Sequence, residues 1–302
     1  MENKGTKSFS SARKSILMGI FIVIAFMTCL ACKYSDCFNL QSTQAKTINV
    51  SYTQELTNTL EKYNMRNNIH KQRPLITIKR ASKDSSSVDD VQLREKFFIR
   101  ILVPAAVVAL SEVRKERSTL INILKKMNNQ KIVDVNLDSM DKNDGAFLRA
   151  IAKKYRSNDP SELLKRIDEV PLSLILAQGA IESNWGRSRF AIQGNNLFGM
   201  WTYKHRGIKP KKSNLKDKHK VAKYASILDS VRVYIYNLNV GWAYKDFREA
   251  RVKTKNAIEL ANYLSKYSKR GQLYIKDVKA LSKRLDEQYA IDKLASYANL
   301  SN

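Results

Sequence analysis

Thiols and imidazoles are scarce in this chain of 302 residues. The three cysteines all lie in its first part: Cys29, Cys32 and Cys37. Everything beyond them lacks the sulfur needed for a disulfide framework or a thiolate metal site. The three histidines lack the i, i+4 spacing that places two metal ligands on one helix face: His70, His205 and His219. We therefore expect no zinc site and no cofactor.

Acidic side chains are also in the minority, with 28 Asp and Glu against 54 Lys and Arg and a formal net charge of +26. An excess of this size indicates an anionic partner, either nucleic acid or an anionic polymer of the cell envelope. The basic residues are spread along the chain without a recognised nucleic-acid-binding motif. We therefore expect no nucleic acid partner.

The N-terminus combines a basic segment with a long apolar run, which extends from Ile16 to Cys32. This order is typical of an export signal. Three fates are compatible with it: cleavage, lipidation at Cys32, or retention as a single-pass membrane anchor with a cytoplasmic N-terminus. Each fate predicts a protein of the cell envelope, periplasmic or exported, and the last two attach it to a membrane.

Changes of composition divide the chain into five segments. A polar spacer, predicted to be partly disordered, follows the signal or anchor, and a helical lead-in precedes the main domain and a short tail. Their bounds are, in order, 1–32, 33–92, 93–140, 141–290 and 291–302. Pro104 is predicted to divide the lead-in into two helices, because proline cannot donate the hydrogen bond that a helix interior requires.

The main domain is predicted to be mainly α-helical, with one small β-hairpin lobe. Aromatic and β-branched residues favour strands at Trp201–Tyr203 and Val221–Tyr224. The lysine-rich segment between them, which contains Gly207 and Pro210, is predicted to be a loop.

The segment after Pro171 is the most informative part of the chain. Proline is favoured in a first helical turn, and inward-facing residues then recur at helical spacing: Leu172, Ile175, Leu176 and Gly179. Glu182 falls on the same stripe, which is predicted to face the core. Burial raises the pKa of a carboxyl and keeps it protonated, as a general acid requires. The alternative is an ion pair between Glu182 and Arg187 or Arg189.

Two further features follow this helix. Trp185 and Gly186 supply an aromatic ring and a residue suited to a left-handed cap. Gly194–Gly199 combines a permissive backbone with two amides and a second aromatic ring. A sugar site needs these groups, because an acid protonates the glycosidic oxygen, an aromatic stacks on a sugar ring and amides bind hydroxyl or acetamido groups.

These segments resemble the Bax-type glucosaminidases of glycoside hydrolase family 73, whose domain is endo-β-N-acetylglucosaminidase-like. The resemblance covers roughly residues 93–285 and is carried by Val170–Pro171, Leu174–Gly186, Ser188–Phe190 and Asn195–Gly199. It implies a lysozyme-like fold and cleavage of the N-acetylglucosamine linkage in peptidoglycan. In that family the glutamate of the Glu-Ser-x-Trp-Gly run is the catalytic acid, which here is Glu182.

The resemblance also implies where the substrate binds. Tyr267 and Tyr274 are similar to tyrosines that line the active cleft in family 73, although either would serve equally as an aromatic at the edge of the core. The predicted substrate-binding residues are Gln178, Trp185, Asn195, Asn196, Phe198, Trp201, Tyr267 and Tyr274. The expected partner is a peptidoglycan strand, and the expected state is a monomer.

A glycosidase usually needs a second group besides its acid. Asp217 is the only acidic residue between positions 200 and 224, and its lysine neighbours favour the ionised form that a base requires. Those lysines form either a solvated face or a surface that guides an acidic glycan strand. Family 73 varies at this position, and the acetamido group of the substrate is the alternative nucleophile. Asp217 is therefore a candidate base.

Two other functions share parts of this pattern. A lytic transglycosylase-like muramidase has a similar fold and a helix-ending Glu-Ser, but the turn Asn196–Met200 favours the hydrolase. A non-catalytic glycan-binding protein of the envelope would use the aromatics without the acid. The sequence favours an endo-β-N-acetylglucosaminidase in which Glu182 is the general acid.

Overall fold

The computed structural model describes residues 46–48, 76–80, 89–127, 140–203, 207–210 and 219–294. The predictions for the N-terminal segment 1–32 and for Asp217 fall on residues outside these ranges. The helices are α1 Val91–Lys126, α2 Lys142–Tyr155, α3 Pro160–Arg166, α4 Leu172–Ser183, α5 Arg189–Gly194, α6 Ile227–Val240, α7 Lys245–Lys253, α8 Ala257–Ala261, α9 Gln272–Tyr289 and α10 Ile291–Leu294. Two 3₁₀ helices span Trp242–Tyr244 and Asn262–Leu264, and the strands are β1 Lys46–Ile48, β2 Ile76–Ile78, β3 Trp201–Thr202, β4 Gly207–Ile208 and β5 Lys220–Ala222.

Helices make up most of the described chain, which confirms the prediction of a mainly α domain with a small antiparallel sheet. The central element is α4, which packs against α1, α8, α9 and α10. Ten of its twelve residues are buried, whereas the spacing of its apolar residues predicts a single inward stripe. The helix is enclosed on several sides because four partners cover it, and Glu182 lies near the end where this cover stops.

The lead-in helix α1 is continuous over 36 residues, so the predicted division at Pro104 is wrong. A proline inside a helix costs about 3 kcal/mol. Pro104 is itself buried, and so are its neighbours on both sides: Leu102, Val103, Ala105 and Ala106. Because complete burial of one Leu or Val side chain contributes about 1.5–3 kcal/mol, packing of this segment outweighs the penalty.

The β-lobe is a three-stranded antiparallel sheet in the order β3–β5–β4. Val221 in β5 is opposite Trp201 on one side and Ile208 on the other. The prediction of a loop throughout the segment between the two predicted strands, now β3 and β5, is wrong at β4. A strand of two residues is too short to show an alternating pattern, and its pairing depends on the neighbouring strand.

Part of the predicted polar spacer has regular structure. β1 and β2 pair in parallel, with Thr47 opposite Thr77. Thr77 and Ile78 are buried, and β2 packs against α1. The carbonyl of Lys79 accepts a hydrogen bond of 3.0 Å from the backbone N–H of Ile227, at the start of α6. The described part of this segment therefore belongs to the packed domain.

The start of α4 is capped from the far end of the chain. Pro171 precedes the helix and offers no side chain that could accept a hydrogen bond from its first turn. Asp292 in α10 supplies the acceptor, with distances of 2.7 Å to both the backbone N–H and the hydroxyl of Ser173. Ile291 is also fully buried, so packing continues into the predicted tail. Among the described residues, no helix has both the length and the apolar character needed to cross a membrane.

A fully buried arginine joins three helices on the other side of the domain. Arg251 in α7 donates to Oδ1 of Asn239 at 2.7 Å and to the carbonyl of Lys165 at 2.9 Å. Asp168 lies 3.8 Å from its Nε. Burial lowers the pKa of Arg251 to about 10, which leaves it charged at neutral pH. This residue holds α7 against α6 and α3.

Candidate active site

Glu182 is the penultimate residue of α4, where the chain leaves the core. Three successive residues with a left-handed φ follow, of 50°, 56° and 79°: Asn184, Trp185 and Gly186. Ser183 holds this turn, because its hydroxyl donates to the Gly179 carbonyl at 2.6 Å and accepts from the Gly186 N–H at 2.8 Å. The turn leaves the side chain of Glu182 half-buried at the rim of the domain.

The carboxylate of Glu182 lies against the backbone of Gly199. A Cβ atom at Gly199 would be 3.1 Å from Oε2 of Glu182, a distance that would force one of the two to move. Gly199 also has a φ of 65°, which side chains rarely adopt. The glycine therefore permits both the turn and the close approach of the carboxylate.

A directed chain of hydrogen bonds runs from the core to Glu182. The Tyr234 hydroxyl donates to Oε1 of Gln178 at 2.6 Å, and Nε2 of Gln178 donates to the Tyr274 hydroxyl at 2.9 Å. Because Tyr274 accepts that bond, its own proton is donated to the carboxylate of Glu182. The chain joins α6, α4 and α9, and each bond polarises the next.

Burial raises the pKa of Glu182, and the hydrogen bond from Tyr274 and the charge of Arg270 oppose the rise without cancelling it. Glu182 therefore keeps its proton to a higher pH than an exposed glutamate. The pKa of Tyr274 is raised as well, first by burial and then by the charge of Glu182. Tyr274 thus remains a neutral hydrogen-bond donor. This arrangement suits a general acid.

Tyrosine rings form a wall behind the carboxylate. Tyr267 stacks on Tyr274 with 5.7 Å between ring centroids, and it lies 6.2 Å from both Tyr234 and Tyr244. Its hydroxyl donates to the carbonyl of Phe198 at 2.9 Å. Burial raises the pKa of Tyr234, Tyr244 and Tyr267. We call Tyr234, Tyr244, Tyr267 and Tyr274 the tyrosine wall.

Four of the predicted substrate-binding residues are no more than 1% exposed: Gln178, Asn196, Phe198 and Tyr274. The ring of Phe198 is covered by that of Tyr234, with 4.2 Å between centroids, and the Gln178 amide is occupied by two tyrosines. A direct sugar contact is therefore wrong for Gln178, Asn196 and Phe198, because the protein itself encloses them. Tyr274 acts on Glu182 through its hydroxyl.

The two asparagines hold the Gly194–Gly199 turn against the sheet. Nδ2 of Asn196 donates to the carbonyls of Met200 and Ala222 at 2.8 and 2.9 Å, and Oδ1 accepts from the Met200 N–H at 3.0 Å. Asn195 ends α5 with a φ of 52°, and its Nδ2 donates to the Tyr224 carbonyl at 3.0 Å. Both amides were predicted to bind sugar, and the structure uses them to position the turn.

The remaining predicted aromatics keep part of their surface exposed. Trp185 is half-buried and packs edge-on against Phe98 of α1, with 5.5 Å between centroids. Trp201 is half-buried in β3 and lies 5.0 Å from the His219 ring. Tyr267 is half-buried within the tyrosine wall. These three residues have surface available for a ligand.

The arginines considered as partners of Glu182 have other contacts. Arg187 lies 3.9 Å from Asp89, and Arg189 donates to the carbonyl of Lys209. Arg270 is the cation whose charge acts on Glu182. In the described part of the chain, no three His, Cys, Asp or Glu side chains are placed to hold a metal ion.

Tyr234 and Tyr244 were not identified as site residues from the sequence. Tyr234 shares a helix face with Val231 and Leu238, which is the pattern of a core residue. A buried tyrosine hydroxyl needs a hydrogen-bond partner, however. Several tyrosines lie on helix faces that turn toward the core. Their number was the signal from which a buried polar network could have been predicted.

Comparisons with known proteins identify the family of the chain. Residues 160–299 match the family model of the glucosaminidase domain, described as mannosyl-glycoprotein endo-β-N-acetylglucosaminidase. The chain is also 30% identical over 216 residues to Protein bax of Escherichia coli (strain K12), an alignment that covers 65% of this chain and 73% of that protein. No solved structure matches the chain significantly. The chain belongs to the Bax-type glucosaminidase family, whose domain supports a glycan-cleaving role and implies that a glycan is bound.

Proposed function

We propose that the protein is a peptidoglycan hydrolase, an endo-β-N-acetylglucosaminidase that uses Glu182 as its general acid. The observation that carries the proposal is the carboxyl of Glu182, which has a raised pKa, accepts a hydrogen bond from Tyr274 and lies within the matched domain. The net positive charge of the chain supports the choice of polymer, because peptidoglycan carries lactyl and peptide carboxylates.

In the proposed reaction, protonated Glu182 gives its proton to the glycosidic oxygen while the bond between that oxygen and C1 of N-acetylglucosamine breaks. The leaving sugar departs as an alcohol, and Glu182 becomes a carboxylate. Tyr274 and Arg270 favour that carboxylate, since both lower the pKa of the group. A positioned acid of this kind accelerates a reaction by about 10²- to 10⁴-fold.

The attack on C1 has two candidate groups, water activated by Asp217 and the acetamido oxygen of the substrate. Asp217→Asn separates them, because it removes the base and leaves the acetamido group intact. A loss of turnover comparable to that of a Glu182 variant identifies Asp217 as the base. Retained turnover identifies the acetamido route.

We also propose that the enzyme acts as a monomer in the cell envelope, attached to a membrane by its N-terminal segment. The basic residues before the apolar run 16–32 support export. Cell fractionation of the full chain and of a variant without residues 1–32 checks this proposal. Recovery of the full chain in the cytoplasmic fraction contradicts it.

Digestion of purified peptidoglycan sacculi tests the proposed reaction. The wild-type protein is expected to release fragments with new reducing N-acetylglucosamine ends, and Glu182→Gln is expected to release none. Glu287→Gln is the matched control, since Glu287 is an exposed glutamate on α9 with a side chain that is 66% accessible. Mass spectrometry of the fragments decides the alternatives: anhydro-muramic ends indicate a transglycosylase, and binding without fragments indicates a glycan-binding protein.

A further inference from the structure

An exposed tryptophan with a cation above its ring lies beside the tyrosine wall. Trp242 is 44% exposed, and Nζ of Lys266 is 5.2 Å from the centroid of its ring. Tyr263 is 42% exposed in the second 3₁₀ helix and precedes Lys266 by three residues. We call Trp242, Tyr263 and Lys266 the Trp242 shelf.

Two segments of the chain link the shelf to residues of the Glu182 site. Tyr244, two residues after the shelf tryptophan, lies 6.2 Å from Tyr267 of the tyrosine wall. Lys266 directly precedes Tyr267, and Arg270, whose charge acts on the Glu182 carboxyl, follows three residues later. A polymer that occupied both places would pass Tyr267.

The segment that carries the shelf is basic. No acidic residue occurs between Glu259 and Asp277, and the interval contains four cations, of which Arg270 is paired with Asp277: Lys266, Lys269, Arg270 and Lys276. Such a surface favours an anionic ligand over a neutral one. The face of an indole favours a flat apolar surface with polar edges, which the C–H face of a pyranose ring provides.

We propose that the Trp242 shelf is a binding subsite for an acidic glycan, remote from the bond that is cleaved. Trp242 stacks on a sugar ring, and Lys266 pairs with a carboxylate on that sugar or on its peptide. An exposed cation–π pair is weak, so Lys266 can leave the indole for the carboxylate and uncover the ring. The proposal rests on the proposed function and extends it to a second part of the substrate.

Calorimetric titration of full-length Glu182→Gln protein tests the shelf without interference from cleavage. Two soluble ligands of similar length are compared, a chitin hexasaccharide, which is neutral, and peptide-bearing peptidoglycan oligosaccharides, which are acidic. Addition of Trp242→Ala is expected to weaken binding of both by about two- to tenfold. Addition of Lys266→Gln is expected to weaken binding of the acidic ligand alone, by up to about fivefold, and Lys266→Arg should restore it.

Val252→Ala is the matched control, since Val252 is 60% exposed on the neighbouring helix α7 and is not part of the proposed subsite. It should change neither affinity. The proposal is overturned by any of three results. Trp242→Ala leaves both affinities unchanged, Lys266→Gln weakens binding of both ligands equally, or the parent Glu182→Gln protein binds neither ligand. Because the assay measures binding alone, the shelf stands or falls separately from hydrolysis of sacculi by the wild-type protein.

Discussion

Two glutamates that are shielded from solvent in this domain have different hydrogen-bond donors. Glu95 in α1 accepts from both terminal nitrogens of the Arg284 guanidinium, at 2.9 and 2.7 Å, and from the hydroxyl of Tyr289 at 3.1 Å. Glu182 accepts from the neutral Tyr274, and burial is the largest influence on its pKa. A guanidinium supplies the counter-charge of a structural ion pair, whereas a tyrosine supplies none. The kind of donor, more than shielding alone, therefore distinguishes a structural carboxylate from one suited to proton transfer.

The largest expected effect comes from replacing each glutamate by glutamine. Glu182→Gln should lower kcat on peptidoglycan by about 10²- to 10⁴-fold, because the proton donor is lost. Glu95→Gln should leave kcat nearly unchanged and lower the free energy of unfolding by about 1 kcal/mol, since the Arg284 side chain is 47% accessible and can be hydrated. Turnover assays and thermal denaturation of both variants measure this. Similar losses of kcat in Glu182→Gln and Glu95→Gln would contradict the distinction between a catalytic and a structural glutamate.

The second largest effect is expected on stability, from breaking the hydrogen bonds of Gln178 behind Glu182. Gln178→Leu leaves the buried Tyr234 hydroxyl without an acceptor, which costs about 1–3 kcal/mol. It also removes the bond that Tyr274 accepts, a further net loss of about 1 kcal/mol, while Tyr274 still donates to Glu182. We expect the free energy of unfolding to fall by about 2–4 kcal/mol in urea denaturation. Tyr234→Phe is the control, since it breaks only one of the two bonds. Equal destabilisation by both variants would contradict the chain of hydrogen bonds described above.

A smaller effect is expected from removing one hydroxyl beside each glutamate. Tyr274→Phe should lower kcat about tenfold, because the carboxylate formed during the reaction loses a hydrogen bond. Since that bond lowers the pKa of Glu182, its loss raises the pKa, and the decline of activity at high pH should move to higher pH. Tyr289→Phe, which removes the hydroxyl at Glu95, should change neither kcat nor the pH profile. A pH profile of Tyr274→Phe that matches the wild type would contradict the contact.

The smallest expected effect is on stability as a function of pH. The folded-state pKa of Glu182 lies above its ordinary value of 4.5, so folding favours the protonated form. This contribution is fully present below the ordinary pKa and is lost as the pH rises through the raised one. Glu182→Gln should therefore melt slightly above the wild type at about pH 7 and lose that advantage at about pH 4. An advantage that is larger at the lower pH would contradict burial as the cause.

The place of Glu182 was predictable because local signals mark both ends of its helix. Pro171 directly precedes the helix, and the left-handed turn after it begins at Asn184 and continues through Trp185 and Gly186. Helix boundaries of this kind depend on neighbours within a few residues. The mainly α character and the strands β3 and β5 have similarly local signals.

The partners of Glu182 were less accessible to sequence reasoning because they come from distant elements. Gln178 meets Tyr234 from 56 residues away and Tyr274 from 96 residues away. Which hydroxyl reaches which amide depends on how α6 and α9 pack on α4. The asparagines were misassigned for the same reason, because an amide that fits a sugar fits a backbone carbonyl equally well, and only the position of β5 decides between them.

A ribosome releases α4 well before α9. Glu182 therefore emerges while Tyr274, which lies 96 residues after its partner Gln178, is still to be added to the chain. Until α9 covers it, the side chain of Glu182 is open to water and has the ordinary acidity of a glutamate. The acid of the proposed hydrolase therefore gains its raised pKa only after α9 has packed against α4.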